Sequence, residues 1–144
     1  MTPIWVCGDS GRILHTTISG QSWEYQSVGY NYRMIKLKFF DANRGWALAN
    51  FSKIFRTTNG GQNWNAINLS SNFNFYSMSF PSDSVGFVGS DRWIYKTTNY
   101  GINWTTTYLG VNQSFTSIQF LNENTGFILA TRGHFFRTTN SGLN

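Results

Sequence analysis

Four cations recur at one kind of place in this chain. Arg12, Lys53, Arg92 and Arg132 each lie between two short apolar runs. Brought together they would form a positive rim, and Arg forks hold carboxylates or sulfates bidentately. Solvated hairpin tips are the plainer reading, since Asp9 and Asp91 share these loops and offset part of the charge. A second series, His15, Arg56, Lys96 and Arg137, precedes four threonine pairs. It reads either as an anion ring or as stems packed over aromatic rings with their tips in water. Hydrolysis of a glycosidic bond needs two carboxylates at a set separation. The six acids (Asp9, Glu24, Asp41, Asp83, Asp91, Glu123) are scattered and form no such pair. His15 and His134 lie far apart, and Cys7 is the single cysteine, so neither a zinc site nor an intrachain disulfide is expected. No Gly-rich phosphate loop is present. The expectation is a non-enzymatic chain with no metal and no cofactor.

Composition bounds the elements that must carry these residues. The chain has 144 residues, about one domain. Aromatics make up 18%, which excludes a disordered tail, while charged residues are only 12%, about half the usual share. Asn, Ser, Thr and Gly supply 60 of the 144 residues. That balance suits short strands and tight turns, not a helical bundle. The net charge is +5, but the cations are spaced out, so no basic arm and no nucleic-acid partner are expected. No apolar run reaches the ~18 residues of a membrane span.

The chain repeats. Thr16-Thr-Ile-Ser-Gly-Gln-Ser-Trp23, Thr57-Thr-Asn-Gly-Gly-Gln-Asn-Trp64, Thr97-Thr-Asn-Tyr-Gly-Ile-Asn-Trp104 and Thr138-Thr-Asn-Ser-Gly-Leu-Asn144 align. Their first threonines are 41, 40 and 41 residues apart, and Gly20, Gly61, Gly101 and Gly142 keep step. Gly45-Trp46, Gly86-Phe87 and Gly126-Phe127 precede the boxes, with Trp5 at the matching place. In the middle unit, strand A reads as 76–80, B as 86–89, C as 93–98 and D as 104 to about 109. Four short strands in about 40 residues match a propeller blade. The fold class is therefore all-β, with blades of four antiparallel strands. About three and a half blades, 14 strands, fall in units of roughly 1–33, 34–75, 76–115 and 116–144. In the boxes Asn59, Asn99 and Asn140 can bond forward to turn amides, and Gly61, Gly101 and Gly142 can take positive φ. The indoles of Trp23, Trp64 and Trp104 then cover the hairpin. Ile18 replaces the Asn in the first box, so that turn should be less well capped.

These boxes resemble the Asp-box, or BNR repeat, of pattern Ser/Thr-x-Asp-x-Gly-x-Thr-Trp. Thr57, Asn59, Gly61 and Trp64 match it, with Asn for Asp. The spacing and the Gly-Trp/Phe pairs are most similar to photosystem II stability/assembly factor-like propellers. The resemblance implies that the C–D and A–B turns share one face, and that family sites lie on the other, among the D–A and B–C loops. It places Asp41, Asp83 and Glu123 away from the site, with Glu24 near that same face. Asp9 and Asp91, two blades apart, are left. A cation before the threonine pair is common in the family, which favours packing for the His15 series.

The D–A loops are rich in aromatics and amides. Tyr30, Tyr32, Phe73, Phe75 and Tyr108 could face a peptide or a sugar ring, or plug the gap between blades. The resemblance implies a binding or scaffold propeller for a protein or peptide partner. A carbohydrate-binding module or a fragment of an Asp-box glycosidase is the alternative. The first unit lacks strand A, and the last stops one residue before its expected Trp. The chain thus reads as the remainder of a longer propeller or as a partial propeller that forms a homo-oligomer. Kinship and composition point to an extracellular, periplasmic or cell-surface location.

Overall fold

The computed structural model describes residues 2–69 and 72–142; Leu143 and Asn144 of the fourth box lie outside the described residues. The chain divides into two compact units, Met1–Ser70 and Ser71–Asn144. Both are built from antiparallel strands joined in sequence order. In the first unit, β1 (Ile4–Cys7), β2 (Arg12–Thr16) and β3 (Glu24–Ser27) make one sheet. A second holds β4 (Met34–Phe39), β5 (Gly45–Ala49), β6 (Lys53–Thr57) and β7 (Asn65–Ile67). In the second unit, β8 (Phe75–Ser79), β9 (Gly86–Ser90), β10 (Trp93–Thr97) and β11 (Thr105–Tyr108) make a four-stranded sheet. The last sheet holds β12 (Phe115–Phe120), β13 (Gly126–Ala130) and β14 (Phe135–Thr138).

Each sheet is a blade, and the 14 expected strands are found with ends shifted by a residue or so. The largest consequence is at Phe75, which opens β8 and belongs to the third blade rather than the second. Strands A carry a repeated irregularity. The register slips between Met34 and Lys36, between Phe75 and Ser77, and between Phe115 and Ser117. An extra residue there bends and twists the strand. Met34, Phe75 and Phe115, just before each slip, are all buried.

Within a unit, blades meet through aromatic stacking. Trp5 of the first blade stacks on Phe39 of the second, with ring centroids 3.7 Å apart. Phe87 of the third stacks on Phe120 of the fourth at 3.5 Å. In the second, third and fourth blades the glycine opening strand B makes room for the strand-A ring. A Cβ on Gly45 would sit 2.7 Å from the Phe39 ring, and one on Gly126 would sit 2.6 Å from the Phe120 ring. Gly45-Trp46, Gly86-Phe87 and Gly126-Phe127 are thus packing pairs: the glycine admits the strand-A ring of its own blade. Among the described residues, no helix is long and apolar enough to cross a membrane.

Candidate functional site

The threonine boxes build the scaffold. Thr57 Oγ1 accepts the amide of Gly61 at 2.9 Å and that of Asn59 at 3.3 Å, and its hydroxyl donates to Asn59 Oδ1 at 3.0 Å. Asn59 Oδ1 also accepts the Asn63 amide at 3.0 Å. Thr97, Asn99, Gly101 and Asn103 repeat the whole pattern. Thr138 bonds Asn140 and Gly142 in the same way. Thr16 still accepts the amides of Ile18 and Gly20, but Ile18 offers no oxygen to link turn and hydroxyl. Trp104 donates from Nε1 to the Gly101 carbonyl at 3.1 Å. Trp64 meets Phe39 edge-on at 5.8 Å. Trp23 stays 41% exposed, as suits the weaker box.

Each box uses two consecutive left-handed residues, a feature sequence reasoning missed. Ser19, Gly60, Tyr100 and Ser141 have positive φ as well as the glycine after them. The amides of Gly60, Tyr100 and Ser141 then donate to Asn43, Ser84 and Asn124, at 2.8, 3.1 and 2.9 Å. The C–D turn is thereby tied to the A–B turn of its own blade. Asp41 orders its A–B turn by accepting the Asn43 and Arg44 amides at 2.8 and 2.7 Å, and it pairs with the Arg44 guanidinium at 2.7 Å. Those backbone bonds first, and Arg44 second, lower its pKa to about 2.

At the opposite ends of the strands, B–C turns and D–A loops are stitched together. In the first unit the Gly11 amide donates to the Tyr32 carbonyl, Met34 to Gly8, and Asn50 to Arg33. In the second, Arg92 donates to Gln113 at 2.9 Å and Thr131 to Ser114 at 3.0 Å. The two loop families singled out from sequence therefore share an end of the blades in each unit. Tyr30, Tyr32 and Lys53 line a small hollow of about 150 Å³. The Arg92 guanidinium lies over the Phe73 ring at 5.8 Å. Tyr108 packs on Trp93 at 5.4 Å, and its hydroxyl donates to Asn112 Oδ1 at 3.3 Å. Asp91 accepts from the Ser114 hydroxyl at 2.5 Å and from Tyr76 at 3.2 Å, so its carboxylate is held in a hydrogen-bonded network.

Two expectations need correction. Phe75 cannot face a ligand: it is 1% exposed and packs edge-on against Tyr95 at 5.2 Å. The four cations are also not structurally equivalent. Arg12 and Lys53 open strand C, whereas Arg92 and Arg132 sit inside their turns with φ of 71° and 61°. Two-residue left-handed turns, Ser10-Gly11, Phe51-Ser52 and Arg132-Gly133, explain the shift. Counted back from the first box threonine, Arg12 and Lys53 stand at four residues, Arg92 at five and Arg132 at six, where Ser10 and Phe51 open the first two turns. Arg33, exposed and 3.8 Å from Asp9, adds a cation here that no repeat position announces.

Three of the four residues of the second cationic series pack on rings, while Arg137 is exposed. His15 stacks on Trp5 at 4.7 Å, Arg56 covers Trp46 at 5.7 Å, and Lys96 covers Phe87 at 5.6 Å. Each cation lies directly across the B–C ladder from its ring, so the pairing follows from register. Cys7 is half-buried in β1, and burial raises its thiol pKa, which leaves it a poor nucleophile.

Four-stranded antiparallel blades closed by a Thr-x-Asn-x-Gly turn define a BNR-type β-propeller. The sequence family described as photosynthesis system II assembly factor YCF48 matches residues 18–112, and the chain belongs to that family. Solved structures share the fold. YCF48 bound to D1 peptide aligns with 100% of this chain and 43% of its own, at 18% identity and a TM-score of 0.69. YCF48 from Cyanidioschyzon merolae aligns over 90% and 45%, at 15% identity and a TM-score of 0.73. The GH74 xyloglucanase from Xanthomonas campestris aligns over 99% and 26%, at 12% identity and a TM-score of 0.76. This chain spans less than half the length of either YCF48 structure. No curated protein matched the sequence.

Proposed function

We propose that this chain is a non-enzymatic binding module that takes an extended polypeptide where B–C turns and D–A loops meet. Membership of the assembly-factor family carries the reading, together with a family structure that holds a peptide. Arg12, Lys53, Arg92, Arg132 and Arg33 would meet carboxylates, either acidic side chains or a chain terminus. Tyr30, Tyr32, Phe73 and Tyr108 would supply ring faces. Single exposed ion pairs contribute about 0–1 kcal/mol each, so binding needs several together and weakens with salt. An exported location fits the same reading. So does self-association, since Ile4, Val6, Leu14 and Tyr25 leave an apolar blade face exposed.

A carbohydrate partner is the second reading. It draws on Tyr30 and Tyr108, which are 61% and 46% exposed and lie close to Asn31 and Asn112. The test is capture of acidic peptides by the chain and by a variant with Arg12, Lys53, Arg92 and Arg132 changed to Ala. At least a tenfold loss is expected. Unchanged capture removes the rim from the reading, and glycan-array hits without peptide capture transfer the site to sugars.

A further inference from the structure

Three hairpin tips of the B–C series, Ser10-Gly11, Phe51-Ser52 and Arg132-Gly133, hold matching places, and both residues of each have positive φ. Such a turn favours small or polar residues with glycine second, because a side chain crowds the backbone in the left-handed region. Two of the three tips follow that preference. Phe51-Ser52 does not: φ is 55° at Phe51 and 59° at Ser52, and neither is glycine. For a bulky residue this is strained backbone. The base of the hairpin holds it in place. The Arg33 amide donates to Asn50 Oδ1 at 3.0 Å, and the Asn50 amide donates to the Arg33 carbonyl at 2.9 Å. Burial of the ring would offset the strain, yet Phe51 is 66% exposed. A lone exposed ring is ordinary. One kept in strained backbone at the end of the blades where the loops meet is not.

We propose that Phe51 is the apolar anchor of the rim, and that it selects acidic polypeptide segments carrying a leucine-sized side chain beside the acid. This rests on the peptide reading given above and adds to it the residue that chooses the sequence. Just past the tip, Lys53 lines the hollow of about 150 Å³ together with Tyr30, Tyr32, Phe55 and Ala66. Its walls therefore offer ring and methyl surface next to one ammonium group. An apolar cavity of roughly 150 Å³ holds benzene, so one aliphatic side chain fits. At this end the first unit also carries Arg12 and the exposed Arg33 beside Asp9, which favours an acidic segment. A partner's apolar side chain would remove water from the Phe51 ring. A turn that is already fixed loses little conformational freedom when the partner arrives. Ser10, Asp91 and Arg132, at the matching places of the other blades, offer no such surface.

The probes are two short fluorescein-labelled peptides, alike except that one has leucine and the other serine between glutamates. Anisotropy with the wild-type chain should show roughly tenfold tighter binding of the leucine peptide. The variant Phe51→Asn places at the tip a residue that tolerates left-handed backbone. It should abolish the leucine preference and leave the affinity for the serine peptide unchanged. Its melting temperature should rise by roughly 2–4 °C as the strain is relieved. Equal binding of the two peptides by the wild-type chain overturns the proposal and leaves the acidic-peptide reading standing. A variant that keeps the leucine preference also overturns it. So does a variant with a lower melting temperature, since Phe51 would then serve the fold. If neither peptide binds at millimolar protein, the peptide reading itself falls and takes this proposal with it.

Discussion

Phe55 and Phe136 hold the same place in their blades, yet they live in different surroundings. Phe55 is 1% exposed, with Ala47 on one side and Ala66 of β7 on the other. Phe136 lies across from Ile128, borders an apolar cleft within its own unit and is half-buried. Residue type and register are alike, so the fourth strand makes the difference. One strand laid along the edge turns an apolar wall into a core. A ring gains most of its stabilisation from water excluded on both sides.

That contrast is broken most directly by truncation. Phe55→Ala should cost about 3–5 kcal/mol, the usual range for a fully buried ring. Phe136→Ala should cost about half as much, because part of its surface already meets water. Urea denaturation of the two variants measures both, and equal losses would mean that Phe136 is as enclosed as Phe55.

The boxes sharpen the comparison at the next level. Asn59→Ala removes the acceptor for both the Thr57 hydroxyl and the Asn63 amide, and should cost about 1 kcal/mol. Ile18→Asn supplies that oxygen in the first box, at a position already 42% exposed. It should gain about 0.5–1 kcal/mol. A melting temperature that does not rise would show that the first box is limited by Trp23 or its surroundings, not by the missing link.

The A–B turns give the smallest effect. Asp41 and Asn122 do the same work: Asn122 Oδ1 accepts the Asn124 and Thr125 amides at 2.9 and 2.8 Å. Asp41→Asn keeps those two acceptor bonds and loses the exposed Arg44 ion pair, so it should lower the melting temperature only slightly at neutral pH. The folded pKa of the Asp41 carboxylate, about 2, lies below the ordinary 3.8, so its stabilisation is full above about pH 4 and is lost as pH falls through 2. Carboxyl chemical shifts recorded from pH 5 to pH 1.5 report this directly, and a midpoint near 4 would refute it.

The box was legible because its work is local. Thr57, Asn59 and Gly61 act within five residues, so type and spacing disclose the turn. The packing of His15, Arg56 and Lys96 was legible too, since antiparallel register places each opposite its ring. The rim was less legible. Arg12 and Lys53 stand four residues before their box threonine, but Arg92 stands five and Arg132 six before theirs, and these two fall inside the turns with positive φ. Aromatic content misled at Phe75, because a ring two residues past Phe73 falls inside the strand and points to the core.

The sequence alone determined the blades. Strand length, turn chemistry and the 40-residue period depend on contacts within one repeat, and the two middle repeats carry them in full. Tertiary structure decided which apolar faces are covered and which loops meet. Those depend on residues some 40 positions apart in neighbouring blades, whose packing no local pattern encodes.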